Sequence, residues 1–264
     1  MDEHLLLEEL DVSDFIKLNI KCIHFLSYFP LDDEKSLFKR TCQLIYGILF
    51  VGFVYALCVS SEIVNMLVVF GDIEKMTEAS FVLLTNLSHS LKLYVFIKHG
   101  SEIRNLIKSI NREEFKPRNL VQYKMLVKDI KMSKLLTKIF LFMCCVTCLL
   151  WAVFPLLDRK SGERIRLPLS GWYPFKIDKP PVFELIYAYQ IFATCINGLR
   201  NISMDTFLSG SIMVIAGQLG ILNNSLQIMG QYYKNKMTDE DQGNQEKFRK
   251  ILVRNVIHYK NIIQ

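Results

Sequence analysis

The sequence predicts an all-α fold: a polytopic membrane helical bundle. Residues 41–61, TCQLIYGILFVGFVYALCVSS, carry no charge between Arg40 and Glu62, and residues 139–157, IFLFMCCVTCLLWAVFPLL, carry none between Lys138 and Asp158. A bilayer's hydrocarbon core is roughly 30 Å thick and a helix rises about 1.5 Å per residue, so about 20 apolar residues cross it. The third observation is segregation. Hydrophobic residues make up 51% of the chain and mean hydropathy is +0.22, yet 22% of residues are charged, so the charges gather outside a few apolar runs. A soluble core needs no uncharged runs of spanning length, so residues 1–264 read as a single transmembrane domain.

Each element follows from its local pattern. Residues 1–40 form an N-terminal region in which Phe15, Leu18, Cys22, Phe25 and Phe29 recur at spacings of three and four, predicting an amphipathic helix over 14–29 that Pro30 ends. Such a helix either lies at the membrane surface or packs on the bundle. The acidic start, MDEHLLLEELDVSD, has neither the basic leader nor the cleavage site of a signal peptide. The first span covers 41–61. The second, 79–97, contains His89 and Lys92; Lys92 lies only about 9 Å of helix from Lys98 and can snorkel to the interface without a partner. The third covers 139–157. The fourth, 182–212, follows Pro180 and Pro181 and contains Arg200 and Asp205, whose spacing of five permits a local pair without securing one. Either these two take partners from neighbouring helices at membrane depth, which marks a functional site by default, or they sit near the interface on a helix leaving the membrane.

Residues 220–264 read as a cytoplasmic helical segment. The polar stretch KNKMTDEDQGNQEK reads as a mobile loop, and FRKILVRNVIHYKNIIQ after it as an amphipathic helix. The chain stops there without a turn or cap signal, which suggests a truncated chain.

Lysine and arginine set the orientation. Residues 98–138 carry eleven of them and residues 62–78 only Lys75, so the basic connection is predicted inside, with the N-terminus cytoplasmic, 158–181 outside and the C-terminal segment inside. The outer linker, with Arg159, Lys160, Arg164, Arg166, Lys176 and Lys179, is more basic than that rule prefers.

The net charge of +6 does not form a basic stripe with interleaved aromatics apart from the spans, so no nucleic-acid partner is predicted. There is no G-x-S-x-G, no phosphate-binding glycine loop and no H-E-x-x-H, and the five histidines are scattered, so no catalytic residue, cofactor or metal is expected. Cys144, Cys145 and Cys148 lie in an apolar run, where cysteine packs as a small hydrophobe; Cys144 and Cys148 share a face, but nothing completes a tetrahedral metal set. Asn86-Leu87-Ser88, Asn201-Ile202-Ser203 and Asn223-Asn224-Ser225 match the glycosylation pattern but fall within spans or on the inner side. The outer halves of the helices carry aromatic and small polar groups suited to an apolar pocket with a few hydrogen-bonding groups. Chosen by depth, the candidate ligand-binding residues are Ser88, Thr147, Trp151, Tyr189 and Phe192.

The outer linker reads LPLSGWYPFKID. Its Leu167, Pro168, Trp172, Tyr173, Pro174 and Phe175 resemble the L-P-x-x-x-W-Y-P-F signature of insect odorant receptors. Ala216-Gly217-Gln218-Leu219 resembles that family's segment at the inner end of the fourth helix. Leu252, Val256, His258 and Ile262 fit its L-x-x-C-I-x-H-H-x-x-I-L stretch, with Asn255 and Tyr259 standing where the family has Cys and a second His. The resemblance implies a seven-span, plasma-membrane receptor of which four spans are present here. It implies small volatile, largely apolar odorants as ligands, and a cation channel gated together with the family co-receptor in the full-length form. A gustatory receptor and a four-span, tetraspanin-like scaffold are the alternatives; the second would need a cysteine-rich outer loop, and residues 158–181 contain no Cys.

Overall fold

A computed structural model describes residues 10–26, 37–157, 166–177, 179–236 and 242–263. Apolar runs in lipid have no water to satisfy their backbone groups, and a helix satisfies them within the run. The described residues accordingly form helices and short connections, with no strand among them. A 3-10 turn, Val12–Phe15, leads into α1, Lys17–Leu26. α2, Leu37–Val51, passes through a π-helical turn, Gly52–Ala56, into α3, Leu57–Val68. Then come α4, Ile73–Lys98, and α5, Gly100–Ile110. α6, Leu120–Leu157, α7, Val182–Lys236, and α8, Gln242–Ile263, follow. Four stretches are long and apolar enough to cross a membrane: Leu44–Val68, Ile73–Lys98, Leu120–Leu157 and Val182–Lys234.

The helices overrun the apolar runs that announce them. Residues 139–157 are only the second half of α6, and 182–212 only the first part of α7. Hydropathy ends where charge begins, whereas a helix ends where its hydrogen-bond ladder does. Between α3 and α4 the stop is local: Gly71 takes a left-handed φ of 100°, and the Asp72 side chain caps α4 by accepting from the Lys75 N–H. Of the stretch 234–247 read as a loop, residues 234–236 end α7 and 242–247 begin α8; residues 237–241 lie outside the described set, as do Phe29, Pro30 and residues 158–165.

The chain divides into two compact units. One gathers the described residues of Met1–Leu18, Asn105–Leu136 and Phe207–Gln264, and the other those of Asn19–Arg104 and Thr137–Thr206. In the first, the Val12–Phe15 turn packs on α6 and α7: Ser133 Oγ donates to the Phe15 carbonyl at 2.8 Å and Lys134 Nζ pairs with Asp14 at 2.6 Å. Gly210 permits this approach, since a Cβ there would stand 2.9 Å from Ile16 Cγ2 and 3.2 Å from the Phe15 carbonyl oxygen.

In the second unit α1 packs on the bundle along a stripe that differs from the predicted one. Asn19, Ile20, Ile23 and Leu26 are buried, whereas Phe25 is 71% exposed. The Asn19 amide donates to Thr206 Oγ1 at 2.6 Å and Thr137 Oγ1 at 3.3 Å, and this polar anchor fixes the rotation that a purely apolar count misses. On α6, Cys144 packs against Gly198 of α7, where a Cβ would lie 3.0 Å from its sulfur. Phe142, Leu149, Phe154 and Leu157 stand exposed on α6, as lipid-facing side chains do.

Candidate functional site

Two apolar helices of the second unit carry a polar face: Asn86 and His89 on α4, and Asn197, Arg200 and Asn201 on α7, at helical spacings of three and four. Polar groups withdrawn from water must find one another. Arg200, fully buried, donates from Nε to His89 Nε2 at 3.0 Å and from Nη2 to Asn197 Oδ1 at 2.8 Å, and its guanidinium lies 4.9 Å from the centre of the Tyr55 ring. A guanidinium only donates, so His89 accepts at Nε2 and carries its proton on Nδ1, which faces Asn201 Oδ1 at 3.3 Å. Lys92 Nζ reaches Asn201 Oδ1 at 3.1 Å and Asp205 at 2.7 Å, so Lys92 is partnered within the bundle. Arg200 and Asp205 thus take partners from α4. Across the site, Asn86 Nδ2 donates to both oxygens of Glu62, at 2.9 and 2.8 Å, and the Tyr55 hydroxyl bonds the Asn86 carbonyl and Ser90 Oγ.

This network floors a cavity of about 170 Å³. Cys58, Phe81, Val82, Trp151 and Leu169 supply mostly apolar wall, and His89, Asn197 and Asn201 border it with their amide and imidazole groups already engaged. Two threonines also line it. Thr85 donates to the Phe81 carbonyl at 2.8 Å, the usual back-bond of a helical threonine. Thr194 Oγ1 is buried and, among the described residues, has no hydrogen-bond partner. It is the hydroxyl free to meet a guest.

Of the candidates chosen by depth, Trp151 lines this cavity. The other four do not. Ser88 and Phe192 are exposed, Thr147 is exposed and donates to the Met143 carbonyl at 2.9 Å, and Tyr189 donates to the Phe53 carbonyl at 3.0 Å with its ring edge-on to Phe53. Depth fixes height along a helix but not bearing around it. Thr85 and His89, four apart, line the cavity, and Ser88, about 100° away from His89, is exposed and does not. The missed residues, Asn86, His89, Thr194, Asn197 and Asn201, had a readable signal: polar side chains recurring at three and four on otherwise apolar helices.

The 166–177 segment roofs the cavity through Leu169. Gln190 of α7, 2% exposed, accepts from the Leu169 N–H and donates to its carbonyl, both at 3.0 Å, and donates to the Tyr173 hydroxyl at 3.0 Å. The Trp172 N–H donates to the Ser61 carbonyl at 3.1 Å. Pro168 is half-buried, and Pro174 and Phe175 are exposed.

In the other unit Gln218 and His258 form a second buried centre. Gln218 Nε2 donates to the Phe115 carbonyl at 3.0 Å, leaving Oε1 to accept from His258 Nε2–H at 3.0 Å, while the Phe115 ring stands edge-on to the imidazole. Burial, with Arg118 and Arg254 beside it, holds His258 down to about 4.

The 7tm Odorant receptor family profile matches residues 72–264. The chain is similar to Odorant receptor Or1 of Anopheles gambiae, 24% identical over 225 residues, covering 83% of this chain and 52% of that protein. It is also similar to Odorant receptor 83a of Drosophila melanogaster, 26% identical over 140 residues, covering 52% of this chain and 30% of that protein. The chain therefore spans about half the length of the Anopheles relative, and less of the Drosophila one. In fold it matches the insect olfactory receptor OR5 from Machilis hrabei, solved in complex with eugenol, with a TM-score of 0.68 and 17% identity, over 100% of this chain and 66% of that one.

Proposed function

Because the chain belongs to the 7tm Odorant receptor family, we propose that it forms the ligand-facing part of an odorant receptor subunit in the plasma membrane, with its N-terminus cytoplasmic. One observation carries the reading: a mostly apolar cavity of about 170 Å³ among four helices, with one unengaged hydroxyl, Thr194. An apolar cavity of about 150 Å³ holds a benzene-sized guest, so this one suits a small volatile molecule with a single hydrogen-bonding oxygen. A ligand that binds the open state better than the closed one shifts the equilibrium between them, which is all that gating needs thermodynamically. In full-length form the subunit gates a cation channel beside the family co-receptor; its role is reception, not catalysis.

Trp151 is the natural reporter. The chain has two tryptophans, so a Trp172→Phe background leaves Trp151 alone at the cavity wall. In lipid nanodiscs, ring-sized alcohols and ketones are expected to change its fluorescence saturably, and Thr194→Val to weaken them about 3- to 10-fold while leaving the matching hydrocarbons unchanged. A Trp151 signal that never saturates, or equal losses for alcohols and hydrocarbons, counts against the reading.

The orientation rests on the lysine and arginine asymmetry of the connections. Epitope tags near residues 120 and 165 check it: labelling near 165 is expected in intact cells, and near 120 only after permeabilisation. The reverse pattern inverts the topology.

A further inference from the structure

Leu169 belongs to two cavities at once. It is 6% exposed, and it lines both the 170 Å³ cavity and a larger chamber of about 640 Å³ bounded by the 166–177 segment, the end of α3 and the starts of α4 and α7. Among the described residues no other wall is common to both. The two spaces differ in chemistry. The cavity is mostly apolar, whereas Lys75, Glu78, Arg166 and Glu184 border the chamber beside apolar walls such as Phe183, a lining that holds water and still accommodates an apolar guest.

The partition is built to give way without unfolding a helix. The backbone of Leu169 bonds no strand or helix; both its N–H and its carbonyl are taken by one side chain, the carboxamide of Gln190. Neighbouring ties are few: Ser170 Oγ to Glu78 at 3.3 Å, and one backbone bond, from the Trp172 N–H to the Ser61 carbonyl at 3.1 Å. Net hydrogen bonds of about 1 kcal/mol each break and re-form readily, so a segment held by them opens more cheaply than the helices it spans.

We propose that the chamber is a second, antechamber site for the same small ligands, entered from the aqueous side, and that Leu169 is the shutter between it and the cavity, latched by Gln190. This rests on reading the smaller cavity as the ligand site. Ligand waits in a wet, weakly selective space and passes inward when the latch releases, so the shutter sets the rate and the cavity sets the affinity.

Stopped-flow fluorescence of Trp151 in Trp172→Phe protein, reconstituted in nanodiscs, tests this with a volatile alcohol as probe. Leu169→Ala is expected to raise the association rate by tenfold or more, with the dissociation rate rising at least as much, because Leu169 also walls the cavity and its truncation weakens binding. Gln190→Glu, which keeps an acceptor for the Leu169 N–H but loses both donors, should raise both rates as well. Ser170→Cys labelled with a bulky, membrane-impermeant thiol reagent should slow association by tenfold or more, relative to the equally treated parent. Rates unmoved by Leu169→Ala and by the label overturn the proposal and point to entry from lipid, while saturable binding in the parent keeps the cavity reading intact. Absence of saturable binding in the parent overturns both.

Discussion

Arg200→Met is expected to destabilise the membrane bundle by about 1–4 kcal/mol and to remove ligand-dependent changes at Trp151. The balance comes from opposing terms. The substitution leaves His89 Nε2 and Asn197 Oδ1 as buried, unpaired acceptors, at about 1–3 kcal/mol each, and removes a guanidinium–ring contact with Tyr55 worth up to about 2 kcal/mol. Against this, it relieves the burial of a cation at membrane depth, about 2.5–3.5 kcal/mol on insertion scales. The orphaned acceptors decide the sign. The loss of binding follows because His89 and Asn197 border the cavity and Arg200 sets the orientation of both. Thermal denaturation in nanodiscs checks the first part and Trp151 titration the second. The double variant Arg200→Met/His89→Leu, which no longer strands an imidazole acceptor, should recover about 1–2 kcal/mol; a single variant as stable as the parent would show the network to be dispensable.

Gln218→Leu is expected to loosen α8 by about 2–4 kcal/mol, since it strands both the His258 N–H and the Phe115 carbonyl in a buried place. Hydrogen exchange along Gln242–Ile263 is the measurement, with faster exchange there than in α4. The same helix should respond to acid. His258 titrates near 6.5 when unfolded and at about 4 when docked, so the undocked form binds more protons between those values. Docking is at full strength above about pH 6.5 and weakens as pH falls toward 4. Exchange along α8 that stays constant from pH 7 to pH 5, after correction for intrinsic rates, would remove His258 from that role.

The sequence made some of this legible and hid the rest for physical reasons. Uncharged runs announced the spans because lipid excludes charge, but α6 begins at Leu120, well inside a basic stretch, because lysines on a helix that leaves the bilayer are compatible with unbroken backbone bonding. The all-α membrane class and the family were within reach of the sequence. The cavity was only partly so. Trp151, chosen by height alone, lines it, whereas Ser88 was chosen where its neighbour His89 lines it, because one residue of helix turns the side chain by about 100°. Asn86 and Asn201 were visible as glycosylation-like motifs, yet their actual partners, Glu62, His89 and Lys92, lie on other helices, and a single sequence does not say which helices are neighbours. Gln218 and His258 were flagged by resemblance; that they bond one another across 40 positions of chain is a fact of tertiary structure.

The widened turn at Gly52–Ala56 makes the first crossing a two-part key. A π-helical turn accommodates one more residue than an α-helical one, which shifts the phase of everything beyond it by roughly a quarter turn or more. Tyr55 within it meets Asn86 and Ser90 of α4 and Arg200 of α7, and Glu62 beyond it meets Asn86, only at that phase, while the Phe53 carbonyl in the same turn receives the Tyr189 hydroxyl as a rung between crossings. Trimming a single residue there would leave hydropathy and length almost untouched, yet swing Glu62 toward lipid and strip Asn86 of its acceptor.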